Sequence, residues 1–467
     1  MGEAAMTIDG KTVAAPQRFG VVDPATGEVF AQAPDCSREQ LGDAMDAASN
    51  AAGWAEDEGV RIAALTAAAD AVLAAQDDLA AVLSREQGKP LKAAGFEVAE
   101  TARWLRASAD LEVPREIAQD DERGHAEVLR RPLGVVAGIT PWNFPLLLAG
   151  WKLGPALRAG NTVVLKPSPF TPLSTLALGE VLSSVLPPGV VNVVSGGDEL
   201  GAWMTSHPAV RKISFTGSVA TGKRIASAAA PDLKRYTLEL GGNDAAIVLD
   251  DIDVAAAARS LFWGAFINNG QICAGIKRVY VPEALHDDLV EALAEWARKV
   301  RVGAGDEPRV QLGPINNRPQ FERVKGLVDE AVAGGATAVA GGAPPDRSGY
   351  FFAPTILTGA TEGARIVDEE QFGPALPVMS YRSVDEAVER ANATEFGLSG
   401  SVWGTDTDRA AAVAARIDSG AVFVNDHLTL EPHLPFGGVK WSGVGVENGH
   451  WGLEEFSSLR VLYRSRT

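Results

Sequence analysis

The 467-residue chain is poor in cysteine, with Cys36 and Cys273 alone, and poor in histidine, with six residues. Two thiols cannot build a disulfide framework, and they fit a reducing compartment. The histidines (125, 207, 286, 427, 433 and 450) show no H-E-x-x-H or Cys–His ligand spacing, so no metal site is expected. His427 and His433 flank an apparent loop and read as solvent-exposed polar residues. Basic residues are in deficit: 42 Lys and Arg against 60 Asp and Glu leave a net charge of −18. That excess repels phosphate backbones and anionic bilayers, so neither nucleic acid nor membrane is an expected partner. No apolar run reaches the roughly 18 residues of a membrane span. The first residues, MGEAAMTIDGKTVAAPQ, lack the apolar stretch of a signal peptide, so a cytoplasmic location is expected. A G-x-S-x-G elbow, a P-loop and a complete G-x-G-x-x-G after a strand are missing too. Gly443-Val444-Gly445 is a fragment of the last, but no strand pattern leads into it.

What is present is ordinary globular material. Hydrophobic residues make up 46% and charged residues 22%, which argues against disorder. At roughly 150 residues per domain, the length predicts about three domain-sized units. The first stretch reads as helical, opened by a capping box at Ser37-Arg38-Glu39-Gln40. An Ala/Leu-rich helical segment follows from about Val60 to Gln87, stopped by Gly88 and Pro90, and another runs to about Leu111. Residues 113–131 are charged with weak alternation and read either as a surface hairpin or as an exposed linker.

From 132 to 249, short apolar runs alternate with helical patterns. The strand candidates are 133–139, 162–166, 190–194, 211–217, 234–240 and 245–249. Helices start near Leu146, Pro172, Glu199 and Ser218, as in βαβ units with a parallel sheet. Residues 250–430 repeat the alternation, with strands at 277–281, 399–403 and 421–425, and read as a second α/β unit.

Chemistry belongs where strands end and helices begin. Phe215-Thr216-Gly217-Ser218-Val219-Ala220-Thr221-Gly222 follows a strand and opens a helix, which suits a phosphate or a plain Ser-capped turn. Lys166 ends a strand, where it reads either as a nucleotide contact or as an ordinary loop lysine, and Pro141-Trp142-Asn143-Phe144-Pro145 is a stiff loop that either presents a side-chain amide to an oxyanion or is a turn with aromatic packing. Cys273 lies in a polar loop between Gly270 and Gly275, either a nucleophile or a small buried hydrophobe. Glu239 is a carboxylate at an apolar strand end, costly unless it is paired or used as a base.

Taken together, PWNFP (141–145), LKPS (165–168), FTGS (215–218), LELGGND (238–244), GQIC (270–273), EEQFGP (369–374) and PFGGVKWSG (435–443) resemble the aldehyde dehydrogenase superfamily over nearly the whole chain. The resemblance implies a Rossmann-like nucleotide-binding α/β domain (1–112 and 132–240), an α/β catalytic domain (241–450) and a β-hairpin oligomerisation arm (113–131 and 451–467). It implies a homodimer or homotetramer that oxidises an aldehyde to the acid. Cys273 matches the nucleophile, Asn143 the oxyanion donor and Glu239 the base that hydrolyses the thioester. Lys166, Ser168, Gly217, Ser218, Gly222, Trp142, Glu370 and Phe372 match cofactor-binding positions. The cofactor is NAD or NADP: Pro169 stands where a ribose-binding Glu would exclude NADP, and NAD is slightly favoured. Phe144, Leu147, Trp151, Ile272, Ala274, Leu430 and Phe436 match the substrate funnel, with no arginine among them, which favours apolar or aromatic aldehydes. The competing readings are a CoA-acylating relative, disfavoured by the retained Glu239, and a non-redox cysteine esterase, which leaves Lys166 and Glu370 without purpose.

Overall fold

The apolar runs at the centre of the chain become strands buried at every position, Val135–Ile139 and Thr162–Lys166 among them. A strand with no polar face needs cover on both sides, which is the condition of a parallel sheet between helices. The computed structural model describes residues 3–466. Among them, eight strands form one sheet in the order Gly443–Val444, Arg235–Glu239, Val210–Thr216, Val135–Ile139, Thr162–Lys166, Val191–Val193, Met6–Ile8, Lys11–Val13. Val210–Thr216 runs parallel to both Val135–Ile139 and Arg235–Glu239. Their carboxyl ends therefore lie side by side, and the loop at 140–144, the Gly217-Ser218 turn and Glu239 leave the sheet at one edge.

A second sheet holds seven strands among the described residues: Thr337–Ala340, Thr355–Thr358, Ala375–Tyr381, Ile276–Pro282, Asp244–Val248, Ser399–Trp403 and Ala421–Val424. Side chains alternate across a strand, so Asp244–Val248 sends Ala245 and Ile247 into one core and Ala246 and Val248 into the other. Residues 113–131 resolve as a hairpin: Glu116–Asp120 pairs with Gly124–Pro132, which pairs in turn with Ser457–Ser465.

Local signals decide many element boundaries. Ser37 accepts the Gln40 N–H while the Gln40 side chain accepts the Ser37 N–H, so the capping box forms around the start of helix Arg38–Asn50. Gly88 ends helix Gln76–Gln87 at φ 96°, and a Cβ there would stand 2.8 Å from both Pro24 and Pro314. The reading of Val60 to Gln87 as one helix needs correction. It is two, Glu58–Ala74 and Gln76–Gln87, because the chain turns at Ala75, where Gln76 donates from its side chain to Gly95 O. A further difference is Gly443–Val444, which is itself a short strand, antiparallel to Leu238 and Glu239. Among the described residues no helix is long and apolar enough to cross a membrane.

Candidate active site

Asn143 is fixed from several sides. Pro145 starts helix Pro145–Arg158, where a missing N–H costs nothing. The next two free N–H groups, of Leu146 and Leu147, donate to Glu97 Oε1 at 2.9 and 3.3 Å. A buried carboxylate at a helix N-terminus is favourable. Glu97 pairs with the equally buried Lys89, whose Nζ also donates to Asn143 O at 2.9 Å. Asn268 Nδ2 donates to the same carbonyl at 3.1 Å, and Asn143 Nδ2 donates to Gln271 O at 2.9 Å. One N–H of the Asn143 amide is thus used to set its direction.

The Cys273 loop is approached through three consecutive left-handed residues, Asn268, Asn269 and Gly270, at φ 52°, 56° and 72°. Asparagine tolerates that region and glycine favours it. Gly270 has a second reason: a Cβ would lie 2.4 Å from Gly373 O. Gln271 then anchors the loop, donating to Asn268 O at 2.9 Å and accepting the Asn316 N–H at 2.8 Å. Burial pushes the Cys273 thiol up to about 12, with Lys277 opposing and Glu239, Glu370 and Asp244 adding to the rise. The resting group is a thiol.

A cavity of about 920 Å³ joins the two halves of the chain. Trp142, Asn143, Gly217, Ser218, Cys273, Glu370 and Phe372 all line it. Ser218 caps helix Val219–Ala229, accepting the Thr221 N–H at 3.3 Å, so that helix points its N-terminus at the cavity. Glu370 Oε1 accepts the Gly242 N–H at 3.0 Å, and a Cβ on Gly241 would collide with the Glu370 carboxylate. Trp142 meets Phe372 edge to face at 5.2 Å between centroids.

Lys166, Ser168, Gly222 and Glu239 stand outside the cavity's lining. Lys166 is buried, and burial lowers its ammonium to about 8 against the opposing charges of Asp198 and Asp35. Gly222 packs on Leu240, whose Cδ2 would lie 2.6 Å from a Cβ there. Glu239 is 2% exposed, and neither carboxyl oxygen has a partner. Burial and the nearby Glu447 raise its carboxyl well above the usual range, with Lys152 opposing.

Six of the seven funnel positions come together. Phe144, Leu147, Trp151, Ala274, Leu430 and Phe436 share one apolar cluster with Cys273, and Ile272 does not join it. Trp104 does: it stacks on Trp151 at 5.6 Å, and Trp151 meets Phe436 edge to face at 5.4 Å. The reading of His427 as solvent-exposed is overturned. It is 7% exposed, because its Nε2 lies 2.8 Å from Ala274 O, directly after the thiol. His433 is exposed.

Motif reading missed the pair behind Glu239. Lys152 Nζ donates to Glu447 Oε1 at 2.8 Å and to Thr216 Oγ1 at 2.7 Å. A lone lysine inside LLLAGWKLGPAL was the available signal, since such a charge demands a partner. Both side chains are at most 1% exposed. Glu447→Ala leaves Lys152 buried and unpaired, so an unfolding free energy about 3–5 kcal/mol lower is expected, read by chemical denaturation. Glu447→Gln, which keeps an acceptor, should lose less.

A model of the "Aldehyde dehydrogenase family" matches residues 12–462. A chloroplastic aminoaldehyde dehydrogenase of Arabidopsis thaliana is 38% identical, with 96% of this chain and 93% of that one aligned. A chloroplastic betaine aldehyde dehydrogenase of Beta vulgaris is 37% identical over 95% and 92%. Among solved structures, the NAD complex of an aldehyde dehydrogenase from Bacillus cereus superposes with a TM-score of 0.97 at 34% identity, covering 99% of this chain and 96% of that one. The chain belongs to the aldehyde dehydrogenase family and oxidises aldehydes with NAD(P).

Proposed function

We propose that the chain oxidises apolar or aromatic aldehydes to acids, with Cys273 as nucleophile, Asn143 as oxyanion donor and Glu239 as hydrolytic base. The observation that carries this reading is the convergence of Cys273, Asn143 and Glu370 on one cavity beside an unpartnered buried carboxylate.

Cys273 gives its proton to solvent water, and its sulfur bonds to the carbonyl carbon while the π pair moves to oxygen. That oxyanion takes the second N–H of the Asn143 amide and the backbone N–H of Cys273. The dinucleotide, when bound, supplies a nicotinamide ring as the hydride acceptor. The residues present fit such a group: a helix N-terminus at Ser218 for phosphate, Glu370 for ribose hydroxyls, and Phe372 and Trp142 as apolar walls. Lys166 and Ser168 belong to the adenosine side in this reading, and Gly217 and Gly222 serve the phosphate turn. Loss of hydride leaves a thioester on Cys273. Glu239 then takes a proton from the water that adds to the thioester carbon; sulfur departs as thiolate, and the acid is released.

NAD is the preferred cofactor and NADP is accepted. Pro169 removes one carboxylate that would repel a 2′-phosphate, whereas Asp198 and Asp35, whose fields reach Lys166, favour NAD. The relatives named above include an NAD complex, which supports the order. The aromatic cluster of Trp104, Trp151, Phe144 and Phe436 supports the substrate class.

The nucleotide-binding part is read as 1–112 with 132–240, and the catalytic part as 241–450. Residues 113–131 and 451–467 are read as the arm of a homodimer or homotetramer. Ile117, Leu459, Val461 and Tyr463 on that arm are exposed apolar residues, which supports a further chain there, and light scattering reads the assembly. Both cysteines are free, which fits the cytoplasm, although some relatives are named as chloroplastic or peroxisomal. One panel tests substrate and cofactor together: kcat/KM for a series of aldehydes with NAD and with NADP. Aromatic and long aliphatic aldehydes with NAD should lead, with NADP active but weaker. Strong exclusion of NADP, or succinic semialdehyde ahead of every apolar aldehyde, would contradict the corresponding part.

A further inference from the structure

We propose that Lys277 is a positioning residue for the nucleophile: its ammonium ties together the carbonyls that bracket Cys273 and holds positive charge against the thiolate. The inference rests on Cys273 being the nucleophile. Lys277 is the second residue of strand Ile276–Pro282 and is 2% exposed. Its Nζ reaches back along the chain, donating to Ile272 O and, at 3.1 Å, to Gly275 O. The first carbonyl directly precedes the nucleophile and the second follows two residues later. The turn that carries the thiol is thus closed by one side chain. Gly275 permits the approach, since a Cβ there would stand 3.3 Å from Nζ.

The charges around the thiol make this lysine conspicuous. Glu239 faces it from the end of strand Arg235–Glu239, Glu370 from the loop ahead of strand Ala375–Tyr381, and Asp244 from the start of strand Asp244–Val248. All three disfavour a thiolate, and Lys277 is the cation that opposes them. Asp244 is held by Ser399 Oγ at 2.6 Å, and burial raises its carboxyl to about 7, with Lys277 opposing. His427, behind Ala274, is lowered to about 4 by burial and is neutral in the working range. A buried ammonium that donates to backbone on both sides of a thiol both fixes the sulfur and lowers the cost of ionising it.

The test is the second-order rate of Cys273 alkylation by iodoacetamide from pH 6.5 to 9.5, with Cys273→Ala as the blank for Cys36. This readout needs no turnover, so it separates the role of Lys277 from the dehydrogenase assignment, which the activity of Cys273→Ala tests. Lys277→Met should alkylate about tenfold more slowly at each pH, the equivalent of one pH unit. Lys277→Arg, which keeps charge and donors, should recover most of that rate. Asp244→Asn removes an opposing charge without removing bulk and should alkylate faster than the wild type above about pH 7, where that carboxyl is ionised, a result that requires no lysine variant to fold. Equal rates for Lys277→Met and wild type, an arginine variant as slow as the methionine one, or no acceleration in Asp244→Asn would each overturn the proposal.

Discussion

Cys273→Ala is expected to lower kcat for aldehyde oxidation by at least about four orders of magnitude, with the cofactor still bound. In the proposed mechanism its sulfur carries the carbon through both halves of the reaction, with no substitute nearby. The cavity presents Asn143, Trp142, Phe372 and Glu370 around the thiol, and none of these is a second nucleophile of comparable strength. The other cysteine offers no bypass. Cys36 is buried, its N–H donates to Ser195 O at 2.9 Å, and burial pushes its thiol up to about 12. Cofactor titration by fluorescence alongside steady-state rates checks the prediction. Retained affinity with lost turnover is the expected pair.

Glu239→Gln is expected to lower kcat by roughly a hundredfold to ten-thousandfold while leaving the first turnover nearly intact. The substitution preserves shape and removes only the proton-accepting role that the proposed mechanism gives Glu239. NADH should then appear as a burst close to one equivalent per active site, followed by a slow steady state. The pH dependence has a definite sign. Burial and the like charge of Glu447 hold the Glu239 carboxyl well above the usual range, so its basic form grows as pH rises. Wild-type deacylation should therefore accelerate with rising pH through that raised value, and the glutamine variant should lack this limb. A stopped-flow pH series reads both features.

The strand–helix alternation was legible because fully buried parallel strands must be apolar at every position. TVVLK and SGSVW appear as strands at the residues their sequence marks out. The strands ahead of Ser37 were not legible. Gln17–Asp23 is half polar and mostly half-buried, with neither a continuous apolar run nor a clean alternation of buried and exposed positions. The division of the Val60–Gln87 helix was hidden for a different reason: alanine at the break is a good helix former, and tertiary packing overrides propensity there.

The site divides the same way. Loop motifs such as PWNFP and GQIC announce themselves because stiff or left-handed backbone restricts the residue types it accepts. The support beneath them does not. Lys152 sits in an apolar run 295 residues from Glu447, and Lys89 and Glu97 meet across a break between two helices, so only the fold brings these buried charges together; Lys277 reaches carbonyls a few residues behind it, which no motif announces. His427 misled for a related reason. A polar residue in a loop reads as exposed, yet this loop folds back onto Ala274.

Intact and peptide mass spectrometry of Glu239→Gln, quenched in acid after mixing with NAD and a single aldehyde, reads out whether Cys273 carries the acyl group. An adduct with the mass of the acyl group is expected, confined to the peptide that contains Cys273 and absent from Cys273→Ala. An unmodified Cys273 peptide during a full burst of NADH, or an acyl group on Cys36, would contradict it.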